Sequence, residues 1–411
     1  MMNYAEKYFF LLILTIPLSI ILGSAVSFFN IVLLCFPFLI YIFLQKNYKF
    51  VDNKVFYLLL LIYAYLIFNC LISLDYQSSL FRNIGFIRFI ILFLIINYFF
   101  SLSGFQEKIL NIWSLLIIFF ALDVYLEFFR GTNILGFGND VFKTRIVSFF
   151  KDEPVAGAFL HGFVFLVIGH LINTFSNYNK KIYIAVIVLV FLLSAIIITG
   201  ERSNTIKTIF GFIFFLIMIK NFETKSKLMF FLFSLACVVL LFINSNYLKT
   251  RYYGQILSNI TNDEKRSEFL ENNLYIKLYK SGFSVFKNYP LFGVGNKNYR
   301  IETCKNKQEK YVCMTHPHQI YLEFLSEHGL FGSVILISSL FYLLFKILME
   351  ILKSRNHIQI GCFVYILSNF LPVIPSGSFF SSFTATLFWL NFSIMYACNK
   401  NTNVFFKSHK T

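Results

Sequence analysis

Apolar runs of about 20 residues recur along almost the whole chain, and that repetition limits what it can fold into. A helix of this length matches the hydrocarbon thickness of a bilayer and satisfies its own backbone there. Twelve such stretches are read, near 8–24, 26–44, 55–74, 84–101, 109–129, 155–175, 182–199, 205–221, 228–246, 329–350, 357–374 and 380–398. Pro17 and Pro37 fall inside two of them and predict kinks. The apolar segments are continuous rather than alternating, which excludes a transmembrane β-barrel. Only 14% of residues are charged, against about 25% in soluble domains. That excludes a soluble enzyme, a secreted disulfide scaffold and a nucleic-acid-binding domain. The first apolar stretch has no small-residue cleavage site and is read as a span, not a removable signal.

The net charge of +16 is explained by where the charges sit. With the N-terminus in the cytoplasm, that side receives Lys7, Lys46, Lys49, Lys54, Lys108, Lys180, Lys181, Lys220, Lys225, Lys227, Lys346, Lys353, Arg355, Lys400, Lys407 and Lys410. The short loops opposite carry only Arg82 and Arg202. By the positive-inside rule both termini are therefore expected inside. Two outer segments are long, 130–154 and 247–328, and the second holds 20 charged residues. The expected plan is an all-α integral membrane protein. Residues 1–246 form nine spans, 247–328 a large outer loop with short helices, and 329–411 three further spans with a cytoplasmic tail. No matching halves mark an inverted-repeat transporter, so the asymmetry favours an enzyme at the outer face.

Several chemistries have no motif here. There is no phosphate-binding Gly-x-x-x-x-Gly-Lys loop, no His-Glu-x-x-His, no Cys-x-x-Cys and no Asp-x-Asp pair, so neither a metal nor a cofactor is expected. Five of the seven cysteines, Cys35, Cys70, Cys237, Cys362 and Cys398, lie in expected spans as small apolar residues. Cys304 and Cys313 lie nine positions apart in the large outer loop, where an oxidising compartment would favour a disulfide.

The densest polar cluster follows them. His316, His318 and His328 fall within thirteen residues, with Tyr321, Glu323 and Glu327 between. Pro317 keeps His316 extended, so a helix is expected to start near His318, with His318, Tyr321, Leu322 and Leu325 on one face. A neutral imidazole at the mouth of a span can take a proton from a hydroxyl near pH 7. Upstream, Pro290-Leu-Phe-Gly-Val-Gly295 predicts a tight turn. Residues 274–288 read as an amphipathic helix with Lys277, Lys280, Ser281, Ser284 and Lys287 on one face, suited to a membrane surface or simply solvated. Arg202, in the turn Thr199-Gly-Glu-Arg-Ser-Asn204, either pairs with Glu201 or offers its planar fork to phosphate oxygens. Arg88 and Asp123 either pair inside the membrane or line an acceptor-binding site, with Glu127 on the same face as Asp123. Arg145, Lys151, Asp152 and Glu153 of the 130–154 loop could meet a polar substrate.

Together these features resemble the O-antigen ligase/polymerase superfamily of bacterial inner membranes. The likeness rests on the motif 316–332, the 290–295 turn, the Arg-Ser pair at 202–203 and the twelve-span plan with one large late periplasmic loop. It implies transfer of a glycan from undecaprenyl diphosphate to an acceptor hydroxyl, without a metal and with inversion. By position, His318 matches the family's base, Arg202 its diphosphate contact and Glu327 the motif glutamate; His316 and Tyr321 would support them. The sequence departs from the pattern at Gln319, where Asn is usual, and near Tyr275, where a second arginine is usual. Lys277, Lys280 or Arg300 are the candidates to replace it. The resemblance implies an O-antigen ligase with a lipid A-core acceptor; a repeat-unit polymerase or a protein O-glycan ligase would use the same donor. A polysaccharide or lipid transporter is the reading from a different class. No nucleic acid partner is expected, only membrane lipids, donor and acceptor.

Overall fold

The computed structural model describes residues 3–138, 145–151, 153–175, 182–220, 224–257, 263–306 and 308–406. Asp152, Lys180, Lys181, Lys407 and Lys410 lie outside the described residues. The described residues form helices and no strand. The order is α1 (Tyr4–Leu14), α2 (Ile16–Ile21), α3 (Ser24–Leu44), α4 (Lys54–Leu71), α5 (Tyr76–Gly85), α6 (Ile87–Phe100), α7 (Phe105–Arg130), α8 (Ala156–Phe175), α9 (Ile182–Ile198), α10 (Arg202–Met218) and α11 (Thr224–Asn244). A single turn at Asn246–Leu248 then runs into a π-helical stretch, Lys249–Leu257. After it come α12 (Asp263–Asn272), α13 (Leu274–Asn288), α14 (Tyr299–Lys305), α15 (Ile320–Ser354), α16 (His357–Asn369) and α17 (Ser382–Ala397).

Each expected apolar stretch is helical, but they differ in reach. Seven segments among the described residues are long and apolar enough to cross a membrane: Ser24–Leu44, Lys54–Leu71, Tyr76–Phe100, Phe105–Arg130, Ala156–Phe175, Lys227–Asn244 and Ile320–Ser354. Helices α9, α10, α16 and α17 have only 13 to 17 residues. The first expected span is split at Thr15, with Pro17 in the first turn of α2. Pro37, by contrast, sits inside an unbroken α3.

Polar residues outside the apolar runs set where helices begin. Asn53, Asp75, Asn273, Gln319, Asn356 and Ser381 each place a side-chain oxygen on a first-turn amide. The apolar core then runs from α1 to α17. Trp113, Phe163 and Phe120 fill the α7–α8 seam, and Trp389, Phe86 and Phe89 the α6–α17 seam.

Helix α15 is broken near its start. Gly329 adopts φ 63° and ψ −169°, so Ile320–His328 and the longer span after it are separate helical pieces. The 290–296 turn docks into this break. Leu330 and Phe331 donate to the carbonyls of Pro290 and Leu291, while Val294 and Gly295 donate to those of Ser326 and Glu327. Leu74, after α4, donates to Val294 at 3.0 Å. Gly329 is required twice over: its φ suits glycine, and a Cβ there would run into the Leu291 carbonyl. Gly329→Ala should lower the unfolding free energy by about 1–3 kcal/mol, the usual cost of a strained backbone position. An unchanged thermal midpoint in detergent would show that the interlock does not depend on this residue.

Candidate active site

Two clusters face each other across the start of α13. The first is built on the turn between α9 and α10. Glu201 does not pair with Arg202. Its buried carboxylate accepts from the amides of Gly157 (2.6 Å) and Ala158 (3.2 Å) at the start of α8, and from the Asn204 amide group (2.7 Å). Burial foremost raises the Glu201 carboxyl to about 7, and these donors oppose the rise. Arg202 is left to turn the other way, toward Gln255.

Two further segments hang on the same turn. From 247–257, the Tyr247 and Tyr252 hydroxyls donate to the carbonyls of Thr199 and Ile197, and Arg251 donates to the Gly200 carbonyl (3.0 Å) and Gln255 (2.8 Å). From 145–151, Ile146 donates to the Thr199 carbonyl, and the amides of Val147 and Ser148 to Glu127. The Ser148 hydroxyl bonds Asp123. Asp123 and Glu127 are thus spent on holding this loop, and the expected Arg88–Asp123 pair is not formed. Arg88 instead donates to the Gly85 carbonyl and lies 4.3 Å from the centre of the Phe89 ring. The result is three guanidinium groups, Arg145, Arg202 and Arg251, in electrostatic contact. Burial, then the charges of Arg202 and Arg145, pull Arg251 below the ordinary guanidinium range. Glu201 is an electrostatic neighbour of Arg145.

The second cluster is built on Thr315–Gln319. Here the expected helix start is corrected: His318 precedes α15 with φ 55°, and Gln319 is the N-cap, its side chain accepting from Leu322. His318 therefore does not share a helical face with Tyr321 and Leu325. Its ring lies 4.0 Å from that of His316 and 5.9 Å, edge-on, from that of Tyr275. The His318 carbonyl accepts from the Ser376 amide at 2.9 Å. The 376–379 strand of loop is itself fixed by Glu323, which accepts from the Ser378 hydroxyl (2.5 Å) and the Phe379 amide (2.9 Å). Burial lowers both imidazoles to about 4; the charge of Arg82 adds to this at His316, and His316 adds to it at His318. Both rings are consequently neutral at pH 7.

Tyr275 joins the clusters. It starts α13 on the Asn273 cap, touches His318 and is an electrostatic neighbour of Arg202. The exposed face of α13 carries Lys277, Lys280 and Lys287, while Ser281 is buried and bonded to the Tyr299 hydroxyl. Arg300 is exposed on α14. Glu327 is buried under the glycine turn, accepting from the Tyr299 amide, and Tyr321 donates to the Phe370 carbonyl. His328 packs inside against Tyr65. Cys304 and Cys313 are joined by a disulfide in the segment leading to the histidines. Among the described residues no group of three or more His, Cys, Asp or Glu is arranged to hold a metal ion.

Beside the arginine cluster, an apolar groove of about 860 Å³ opens between α7, α9 and α11. Phe128, Phe191, Phe233 and Leu240 line it, and it ends at Asn246 and Tyr247. Arg251 escaped sequence reading because nothing around it forms a motif; only its three-dimensional neighbours mark it.

The pH dependence of stability follows from the two histidines. An unfolded histidine titrates near 6.5. As pH falls the unfolded chain binds protons first, so stability should decline between about pH 6.5 and 4. Thermal unfolding across that window should show a falling midpoint, with a shallower fall in His316→Phe; a midpoint indifferent to this change would contradict the assignment.

Residues 185–337 match a family model described as O-antigen ligase. No curated protein matches the chain.

Proposed function

We propose, from the match of residues 185–337 to the O-antigen ligase family model, that this chain is a glycosyltransferase of the ligase type in the bacterial inner membrane. In this reading it moves a glycan from undecaprenyl diphosphate to a lipid A-core hydroxyl. The segment 247–328 faces the periplasm, between nine spans before it and three after. The observation that carries the reading is a half-buried neutral imidazole, His318, whose ring meets Tyr275, itself an electrostatic neighbour of Arg202 in the group Arg145, Arg202 and Arg251.

A diphosphate leaving group supplies negative charge for these cations to face. Fixed guanidinium groups stabilise it as the anomeric C–O bond breaks, and they need no reorganisation at that moment. His318 takes the proton from the acceptor hydroxyl while its oxygen attacks the anomeric carbon from the opposite side, inverting the centre. The reading assigns the second cationic contact to Arg251 and Arg145 rather than to Lys277, Lys280 or Arg300. The groove between α7, α9 and α11 ends beside these arginines, which suits a donor whose diphosphate is attached to a long apolar chain.

His318→Ala should lower turnover by about 10²–10⁴-fold, the usual worth of a general base. The readout is the lipopolysaccharide ladder of a deletion strain carrying each variant. Core bands without O-antigen support the ligase reading. Core bearing a single repeat would make the protein a polymerase, and an unaffected ladder would point to protein glycosylation or transport. Arg251→Ala should weaken donor use more than acceptor use, whereas Lys280→Ala should leave donor use unchanged. Equal effects of the two would return the second contact to α13.

A further inference from the structure

The two adjacent histidine rings form a geometry that a single base does not require. His316 is buried, and both of its ring nitrogens are engaged: Nδ1 lies 3.0 Å from the Thr315 hydroxyl and Nε2 3.3 Å from the Ser376 carbonyl. A carbonyl only accepts, so the network assigns the proton to Nε2 and leaves Nδ1 accepting from Thr315. With neither nitrogen free, His316 cannot receive the proton of an acceptor hydroxyl. Its ring face is what remains. That face lies 4.0 Å from the His318 ring, centre to centre, with the planes 38° apart.

We infer that His316 is a positioning residue whose ring forms the wall against which the His318 imidazole is oriented. This rests on the reading above only in naming His318 as the base. Ser376 ties the pair together, since its amide holds the backbone of His318 and its carbonyl holds the side chain of His316. The Glu323 carboxylate holds Ser378 and Phe379 two and three residues further on, so the brace reaches back to α15. The Tyr275 ring packs perpendicular to that of His318, 5.9 Å away. The His318 backbone sits in the left-handed region, so the ring's direction is set by these contacts and not by helical geometry. Removing the His316 ring lets water and alternative rotamers in, which costs alignment with the acceptor. A displacement of about 1 Å at a reacting group can cost about 10²-fold.

The titratable and charged groups around the pair are His316 itself, Tyr275 from α13, Glu323 from α15 and Arg82 from α5. The test uses the full chain in lipid nanodiscs, as wild type, His316→Ala, His316→Gln and His316→Phe. Carbethoxylation of His318 by diethyl pyrocarbonate is followed by peptide mass analysis from about pH 4 to 8, alongside turnover. In wild type the His318 ring reacts slowly, with a midpoint near 4. In His316→Ala the reaction is faster, the midpoint rises toward that of free histidine near 6.5, and kcat falls between about tenfold and 10²-fold with KM unchanged. His316→Gln, which keeps a donor for Ser376 but no ring, behaves like alanine. His316→Phe keeps the ring face, slow labelling and most of kcat. Wild-type labelling and turnover in His316→Ala would overturn the inference, and so would a phenylalanine variant as impaired as alanine. Full turnover in His318→Ala would instead defeat the transferase reading, while the labelling still decides what His316 does.

Discussion

Backbone hydrogen bonding between the 290–296 turn and the break in α15 is the constraint on which the rest of the site depends. A helix ending inside protein leaves carbonyls and amides that need partners. At Gly329 those partners come from a turn some 35 residues earlier, and the same turn receives an amide from the end of α4. Asn69, Asn83, Asn296 and Asn298 extend the joint in a buried amide network. Such a network specifies one arrangement when it is satisfied. It fixes where α15 begins, and therefore where Gln319 and the two residues before it can lie.

The electrostatics of the two clusters are complementary in design. On the arginine side the nearby carboxylates are engaged by amides and hydroxyls, Glu201 at the start of α8 and Glu127 and Asp123 in the 145–151 loop, while Glu201 stays an electrostatic neighbour of Arg145. The histidine side is kept neutral by burial. In the proposed reading a neutral ring is the form that can take up a proton. In the proposed reading an arriving anion meets the arginines on one flank and a neutral imidazole on the other. The separation matters because interactions in a partly buried site are several times stronger than in water.

Much of this was legible in the sequence, and the omissions have physical causes. Apolar runs revealed helices because burial in lipid demands them, yet run length did not show that α9, α10, α16 and α17 stop short. Arg202 and His318 stood out against local trends of charge and composition. The helix start near His318 was misjudged by two residues, since Pro317 restricts the residue before it and says nothing about a left-handed residue after it. The Arg88–Asp123 pair failed because intramembrane acids can equally be consumed by loop amides, which sequence spacing does not reveal. Arg251 lay in a stretch without periodicity, where only tertiary neighbours give a cation meaning.

The carbonyl of Ser376 and the guanidinium groups of Arg82 and Arg145 all lie outside 185–337, the segment by which the chain is related to others. In the proposed reading that segment is therefore not a portable catalytic module. Grafted into another helical scaffold it would arrive without the brace behind His316 and without part of its positive charge. In the proposed reading a cation comes from another element around the same small volume, and a comparison keyed to motif spacing would record a loss where the chemistry has only changed its address.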